Sequence, residues 1–333
     1  MPLVTTLSRL ISMGHMSDDI SAASPRHVPV LPAEVLAALN PQPGQVFVDA
    51  TVGVGGHSRL LAERLLPGGR LLGLDRDAAM LDLARPRLAD LPVTLVQASF
   101  SRLRQVLDDQ GVVAVDGVLA DFGFCSDQMD DAERGFSFTQ SGPLDMRLDP
   151  TTGEPASALL RQMNERDLAD LIYRYGEERF SRRIARRIVE VRRHTPLETT
   201  EELAELVRRC VPRPRWDRRP AGRSRWDRRP AGRSIDPATR VFQALRIAVN
   251  DELGELETLL KILPDCVRPG GVVAAISFHS LEDRMVKTAF RERSVWEALT
   301  RKPVQAGEDE VRNNPRARSA KLRAARRVSE PRP

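Results

Sequence analysis

Asp75 and Asp121 each close a short run of leucine and β-branched residues. A third run, 46–50, passes through Asp49 into Thr51-Val-Gly53-Val-Gly55-Gly56-His57-Ser58. Strand, glycine-rich turn and helix start, in that order, form a loop able to hold a nucleotide-containing cofactor. Glycine lets the backbone approach a ligand and adopt positive φ, and exposed N–H groups at a helix start bind polar ligand atoms. Taken alone, Gly-x-Gly-Gly also suits an ordinary strand-to-helix turn. Asp75, at the end of the next strand, can accept hydrogen bonds from both ribose hydroxyls of an adenosine-containing cofactor. Two residues on, Asp77 has the type and position of a helix N-cap. Nicotinamide dinucleotides satisfy the same geometry, but no His/Arg or Tyr/Lys catalytic set of a dehydrogenase accompanies the loop.

The fourth run ends in Asp121-Phe-Gly-Phe-Cys-Ser-Asp-Gln128. It brings a carboxylate, two aromatic rings and an amide to the carboxyl edge of a sheet, where open α/β folds bind ligands. Asp121 can accept a hydrogen bond from an amine and align its nitrogen, while Phe122 or Phe124 can stack on a planar base. Equally, both rings can face the core. His279 follows another apolar run in Ser277-Phe-His-Ser280 and can reach a base or phosphate at the same edge. A hydrogen-bonded role in fixing that strand-to-helix turn is the simpler account of a lone histidine.

The elements that must position these residues alternate. Strand-like runs at 46–50, 70–75, 93–97 and 115–121 are separated by helical patterns that start near Ser58, Asp77 and Ser101, which predicts βαβ units and a parallel sheet. From 155 to 211 the chain turns Arg/Glu-rich with no strand signal. Apolar residues recur there at helical spacing over 167–175 and 179–191, so a helical insertion is expected. One or two amphipathic helices over 236–263, a buried strand at 271–277 and a helix at 281–290 then resume the α/β core. We divide the chain into an N-terminal extension expected to be disordered (1–26), a core of 27–134 and 236–333, and a helical insertion of 135–235.

With 51 Lys and Arg against 46 Asp and Glu, the net charge of +5 favours a polyanionic partner only mildly. Its distribution says more. Residues 213–233 hold nine arginines against Asp217 and Asp227, and residues 312–327 hold seven basic residues and no acid. Arginine suits bidentate phosphate contacts and stacking on bases, although a compositional bias of the genome would produce the same excess. Residues 215–224 and 225–234 are identical, RWDRRPAGRS twice, which reads as a basic loop rather than a solenoid repeat. Cys125, Cys210 and Cys266 are too far apart for a paired-cysteine metal site and odd in number for a disulfide framework, so no metal and a reducing compartment are expected. No apolar run reaches the roughly 20 residues of a membrane span, and 1–24 lacks a secretory pattern. The expected location is cytoplasmic.

Longer blocks narrow the reading: His27-Val-Pro-Val-Leu31, Gly55-Gly56-His57-Ser58, Asp75-Arg-Asp77, Gln128-Met-Asp-Asp-Ala-Glu-Arg-Gly-Phe-Ser-Phe138, Gly142-Pro-Leu-Asp-Met-Arg147, Tyr175-Gly-Glu-Glu-Arg-Phe180, Phe242-Gln-Ala-Leu-Arg-Ile247, Ser277-Phe-His-Ser-Leu-Glu-Asp-Arg284 and Asn314-Pro-Arg-Ala-Arg-Ser319. In this order they resemble the motifs of the bacterial 16S ribosomal RNA cytosine-N4-methyltransferases, the MraW or RsmH family, from His27 to the C-terminus.

The resemblance implies a Rossmann-like class I methyltransferase core with an inserted helical domain, using S-adenosylmethionine to methylate the exocyclic N4 amine of a cytidine in small-subunit ribosomal RNA. Carried over position by position, Gly55, Gly56 and His57 would bind the methionine side of the cofactor, Asp75 the ribose, Phe100 the adenine region, and Asp121 and Gln128 the reacting end. Asp121 is the implied catalytic residue. Phe124, His279, Arg316, Arg318 and Lys321 would face the RNA. The implied partner is 16S RNA in the small subunit, and a homodimer is one open assembly. Two segments depart from the family pattern: Phe122-Gly-Phe-Cys-Ser-Asp127 stands where Leu-Gly-Val-Ser-Ser-Pro is usual, and Asp236 where histidine is usual. A ribosome-assembly protein that keeps the fold and binds RNA without catalysis is therefore the competing expectation.

Overall fold

The computed structural model describes residues 28–212 and 236–329. The extension before His27 and the duplicated block 215–234 lie outside the described residues.

Among the described residues seven strands form one sheet: β1 (Val46–Asp49), β2 (Arg70–Asp75), β3 (Val93–Gln97), β4 (Val115–Asp121), β5 (Val267–Ser277), β6 (Trp296–Ala298) and β7 (Lys321–Arg327). Their order is β3-β2-β1-β4-β5-β7-β6. The first five pair in parallel, and β7 runs antiparallel to both β5 and β6. The segments Arg70–Asp75 and Val115–Asp121 are nearly continuous apolar runs because helices bury both faces of the parallel part. On one face Leu72, Leu74, Val118 and Val273 pack with Leu103, Leu256, Leu259 and Leu263. On the other, Phe47, Leu71, Leu119 and Ile276 meet Val35, Leu39, Leu61 and Leu65. Sheet order runs outward in both directions from β1 and β4, so the carboxyl ends of these two strands diverge into the crevice where such sheets bind ligands.

The expected helix starts fall within a few residues of the observed ones. The helix after β1 is Gly56–Leu65, and Asp77 caps Ala78–Leu88 by accepting from the Ala79 N–H at 3.1 Å. After β3, Ser99 precedes a 3-10 turn, Phe100–Arg102, that runs into the helix Leu103–Asp109.

Four helices, Ala156–Gln162, Glu165–Gly176, Ser181–Val191 and Thr200–Cys210, form a separate apolar cluster around Leu168, Ile172, Ile184, Ile188, Leu203 and Val207. The helix Pro237–Asn250, placed by sequence in the resumed core, buries Val241, Phe242 and Leu245 in this cluster. Its apolar stripe matches the helical layer, and the chain joins the sheet layer only with Glu252–Cys266. The packing boundary thus follows Asn250. Asn250 ties the layers together: its buried side-chain amide donates to the Met146 carbonyl at 2.7 Å and accepts from the Leu148 N–H at 2.7 Å, and its main-chain carbonyl accepts from Arg76 at 3.1 Å. No described helix is long and apolar enough to cross a membrane.

Candidate active site

Three aspartates converge at the carboxyl ends of β1, β2 and β4. Asp49 is fully buried, accepting from the Ser58 hydroxyl at 2.6 Å and the Thr51 N–H at 3.1 Å; burial pushes its pKa up to about 6. Asp75 accepts from the N–H groups of Gly53 at 2.8 Å and Asp77 at 2.9 Å, and burial raises it to about 6 as well. Thr51 links the two central strands, since its hydroxyl accepts from the Asp121 N–H at 2.7 Å.

Asp121 differs from the other two. Its Oδ1 is buried with no hydrogen-bond partner among the described residues, and its Oδ2 stands 3.8 Å from His57 Nε2. Burial raises its pKa to about 7 against the opposing pull of the Arg316 guanidinium. A largely buried carboxylate that lines a cleft, with no donor committed to its Oδ1, is poised to meet a ligand's N–H or positive charge.

A cleft of about 740 Å³, counted with its open, solvent-filled mouth, lies at these strand ends. Thr51, Gly53, Gly56, His57, Asp75, Phe100, Asp121, Phe124, Gln128 and Arg316 line it. Of the residues expected to bind cofactor, Gly55 is not in the lining: it turns the chain at φ 88°, its N–H bonded to the Val52 carbonyl at 2.8 Å. A Cβ there would come within 3.2 Å of Leu88. The helix it starts has no side-chain cap, which leaves its first turn to serve polar ligand atoms. Gln128 reaches the cleft wall with both ends engaged, giving a hydrogen bond to Asp77 at 2.7 Å and taking one from the Cys125 N–H at 2.9 Å. Arg134 also contacts Asp77 at 2.8 Å. Gln128 thereby braces the 121–128 loop against the start of the Ala78–Leu88 helix.

The aromatic question resolves unevenly. Phe122 is 4% exposed and packs edge-on against Phe100, with ring centroids 5.7 Å apart. Phe124 is half-buried, stacks on Phe136 at 5.4 Å, and has the guanidinium carbons of Arg246 and Arg316 at 4.6 and 5.7 Å from its centroid. Its ring belongs to a cation–π assembly beside the carboxylate.

His279 does not line the cleft. It caps the helix Ser280–Ala289, with Nε2 at 3.1 Å from Glu282, and its neighbour Glu252 is held by Arg246 at 2.7 and 2.9 Å. Glu252, His279 and Glu282 bring ligand atoms within 4.8 Å of one another, but Arg246 already pairs with Glu252, and Glu282 accepts from the Phe278 N–H at 2.8 Å. Arg318 is exposed, and Lys321 lies 4.0 Å from Asp283. Sequence reading did not single out Asp49, Thr51, Arg246 or Glu252. Asp49 lay inside the run read as 46–50, whereas the strand itself ends at Asp49, as β2 and β4 end at Asp75 and Asp121.

A family model described as the MraW methylase family matches residues 24–328. The protein named ribosomal RNA small subunit methyltransferase H of Sorangium cellulosum is 54% identical over 305 residues, 91% of each chain. Proteins of that name from Acidobacterium capsulatum and Geobacter sulfurreducens are each 47% identical, covering 90% and 91% of this chain and 98% and 99% of theirs.

Proposed function

Because the chain belongs to the MraW methylase family, we propose that it methylates the N4 amine of a cytidine in small-subunit ribosomal RNA, in the cytoplasm. S-adenosylmethionine is its cofactor, and when bound it supplies an electrophilic methyl group on a positively charged sulfur. The site suits such a ligand. Asp75 and Asp121, with pKa values raised to about 6 and about 7, line a cleft whose buried charge a cationic group would relieve, and an uncapped helix start faces the same space. We assign Gly56 and His57 to the methionine end, Asp75 to the ribose, and Phe100 to the adenine.

The observation that carries the amine reading is the buried, unpartnered Oδ1 of Asp121. The cytosine amine is a weak nucleophile because its lone pair is delocalised into the ring. A hydrogen bond from that amine to Oδ1 holds the nitrogen in line and favours its pyramidal form. Arg316 lines the same cleft, and it can donate to N3 and O2, the acceptors beside the amine on a cytosine edge. Uracil would turn a carbonyl oxygen toward Asp121, so carboxylate and guanidinium together select cytosine. The proton released after transfer goes to Asp121 Oδ1, or to water. A base must leave its stack to enter, which single-stranded or looped RNA permits most cheaply.

The test is transfer of isotope-labelled methyl to small subunits from a strain lacking the gene, followed by mass spectrometry of the RNA nucleosides. Label recovered as N4-methylcytidine is the expected result. No label would favour the non-catalytic assembly protein, and label on another base would overturn the Asp121–Arg316 assignment.

A further inference from the structure

At the sheet edge formed by β6 and β7, Lys287, Arg291, Arg293, Arg301 and Arg323 line a groove together with the buried rings of Phe290 and Trp296. Arg323 is committed to Asp283 at 2.7 Å. Lys287, Arg291, Arg293 and Arg301 have no carboxylate within 4.0 Å among the described residues. Among the described residues the single lining carboxylate, Glu297, lies 3.5 Å from Arg326. Four like charges around one concavity repel each other, and a bound polyanion would relieve that cost.

Protection of an edge strand is the competing explanation, because cations there discourage pairing with other chains. Such cations sit on the strand itself. These four lie at the end of the Ser280–Ala289 helix and in the loops on either side of β6, and none falls within Trp296–Ala298.

The groove and the cleft lie toward opposite ends of one helix and one strand. The helix starts at His279, beside the carboxyl edge of β5, and at the rise of an α-helix it puts Arg291 about 18 Å away. β7 covers the same span: Lys321 pairs with Ser277 at the cleft end, and Arg327 with Trp296 at the groove. Exposed Arg318 stands at the near end, two residues from Arg316 in the cleft wall.

From the uncompensated charge of the groove and its distance from the cleft we propose that it binds the phosphate backbone of the substrate RNA flanking the target nucleotide. The inference rests on the RNA-substrate reading above. It predicts that docking and chemistry are separable.

The test replaces Arg291, Arg293 and Arg301 together by glutamine in the full-length protein and measures small-subunit RNA binding across a salt series. Three lost phosphate contacts should flatten the log–log slope by at most about 2.1 for single-stranded or about 2.7 for double-stranded contacts. At 0.15 M salt the affinity loss, and the rise in KM for subunits, should reach up to about 50-fold in the single-strand case. kcat, cofactor affinity and melting temperature should not move. A control replacing Arg64, Arg85 and Arg102, exposed residues toward the opposite sheet edge, removes the same charge and should leave the slope unchanged. Superimposable lines for the groove variant and the parent overturn the proposal, as does equal flattening by the control. Because binding is read directly, an enzyme that transferred no methyl would refute the functional reading while still deciding the groove.

Discussion

Replacing Asp121 by asparagine should stabilise the protein while disabling it. Burial raises the Asp121 pKa from 3.8 to about 7, so the folded state holds its proton more tightly than the unfolded one. Stability then falls as pH rises from about 4 to 7, and the full penalty applies above 7. At 1.36 kcal/mol per pKa unit the ceiling is about 4 kcal/mol. The side chain is 19% exposed, and the water this admits should bring the penalty to about 2 kcal/mol. Asparagine has nearly the same shape and no ionisation, so at pH 8 it should raise Tm by roughly 4–8 °C, at about 2–4 °C per kcal/mol for a chain of this size. At pH 4 the gain should vanish. Asp49 and Asp75, each raised to about 6, titrate in both proteins, so the readout is the difference between the two curves. Methyl transfer should fall by about 10²–10³, because an amide turns a donor toward the amine. In the parent, a cationic cofactor favours ionised Asp121, so its affinity should rise with pH up to about 7 and binding should release a proton. Calorimetry in two buffers of different ionisation enthalpy measures that release, which the variant should lose in part. A difference in Tm that stays flat from pH 4 to 8 would refute the account of a desolvated carboxylate.

Three further outcomes follow from the same geometry. Asp75→Ala should weaken S-adenosylmethionine binding by about 10-fold or more without unfolding the protein, and unchanged calorimetric affinity would remove the ribose assignment. Gly55→Ala places a side chain at φ 88° and within 3.2 Å of Leu88, and should cost about 1–2 kcal/mol in chemical denaturation together with cofactor affinity. Deleting 215–224, one copy of the duplicated block, removes four arginines and should flatten the single-strand RNA salt slope by at most roughly 2.8 while leaving cofactor affinity unchanged; coincident lines would make the duplication a passenger.

What the sequence made legible was set by period and by chemistry. Strands β1, β2, β4 and residues 271–277 of β5 are buried on both faces and read as apolar runs, while the edge strand β3 is only half-buried; the carboxylates ending β1, β2 and β4 mark the crevice between β1 and β4. β7 gave no such signal. Its sequence, KLRAARR, has no β-branched residue, and it sits in the sheet because Leu322, Ala324 and Ala325 fill the space beside β5 while Asp283 neutralises buried Arg323. A strand whose buried arginine is balanced by a partner 40 residues away reads, in one dimension, only as a basic patch. The same limit hid Arg246 and Glu252. Their pair is local in sequence, but what it does at the cleft comes from the Phe124 ring that the Arg246 guanidinium covers. The departure at 122–127 falls under the same argument. Phe122 goes into the core against Phe100, while Phe124 joins Phe136, Arg246 and Arg316 in one assembly drawn from four separate segments. The unusual loop therefore leaves the Asp121 Oδ1 unobstructed by any hydrogen-bond partner among the described residues and changes the wall beside it, where a base rather than a cofactor would be held.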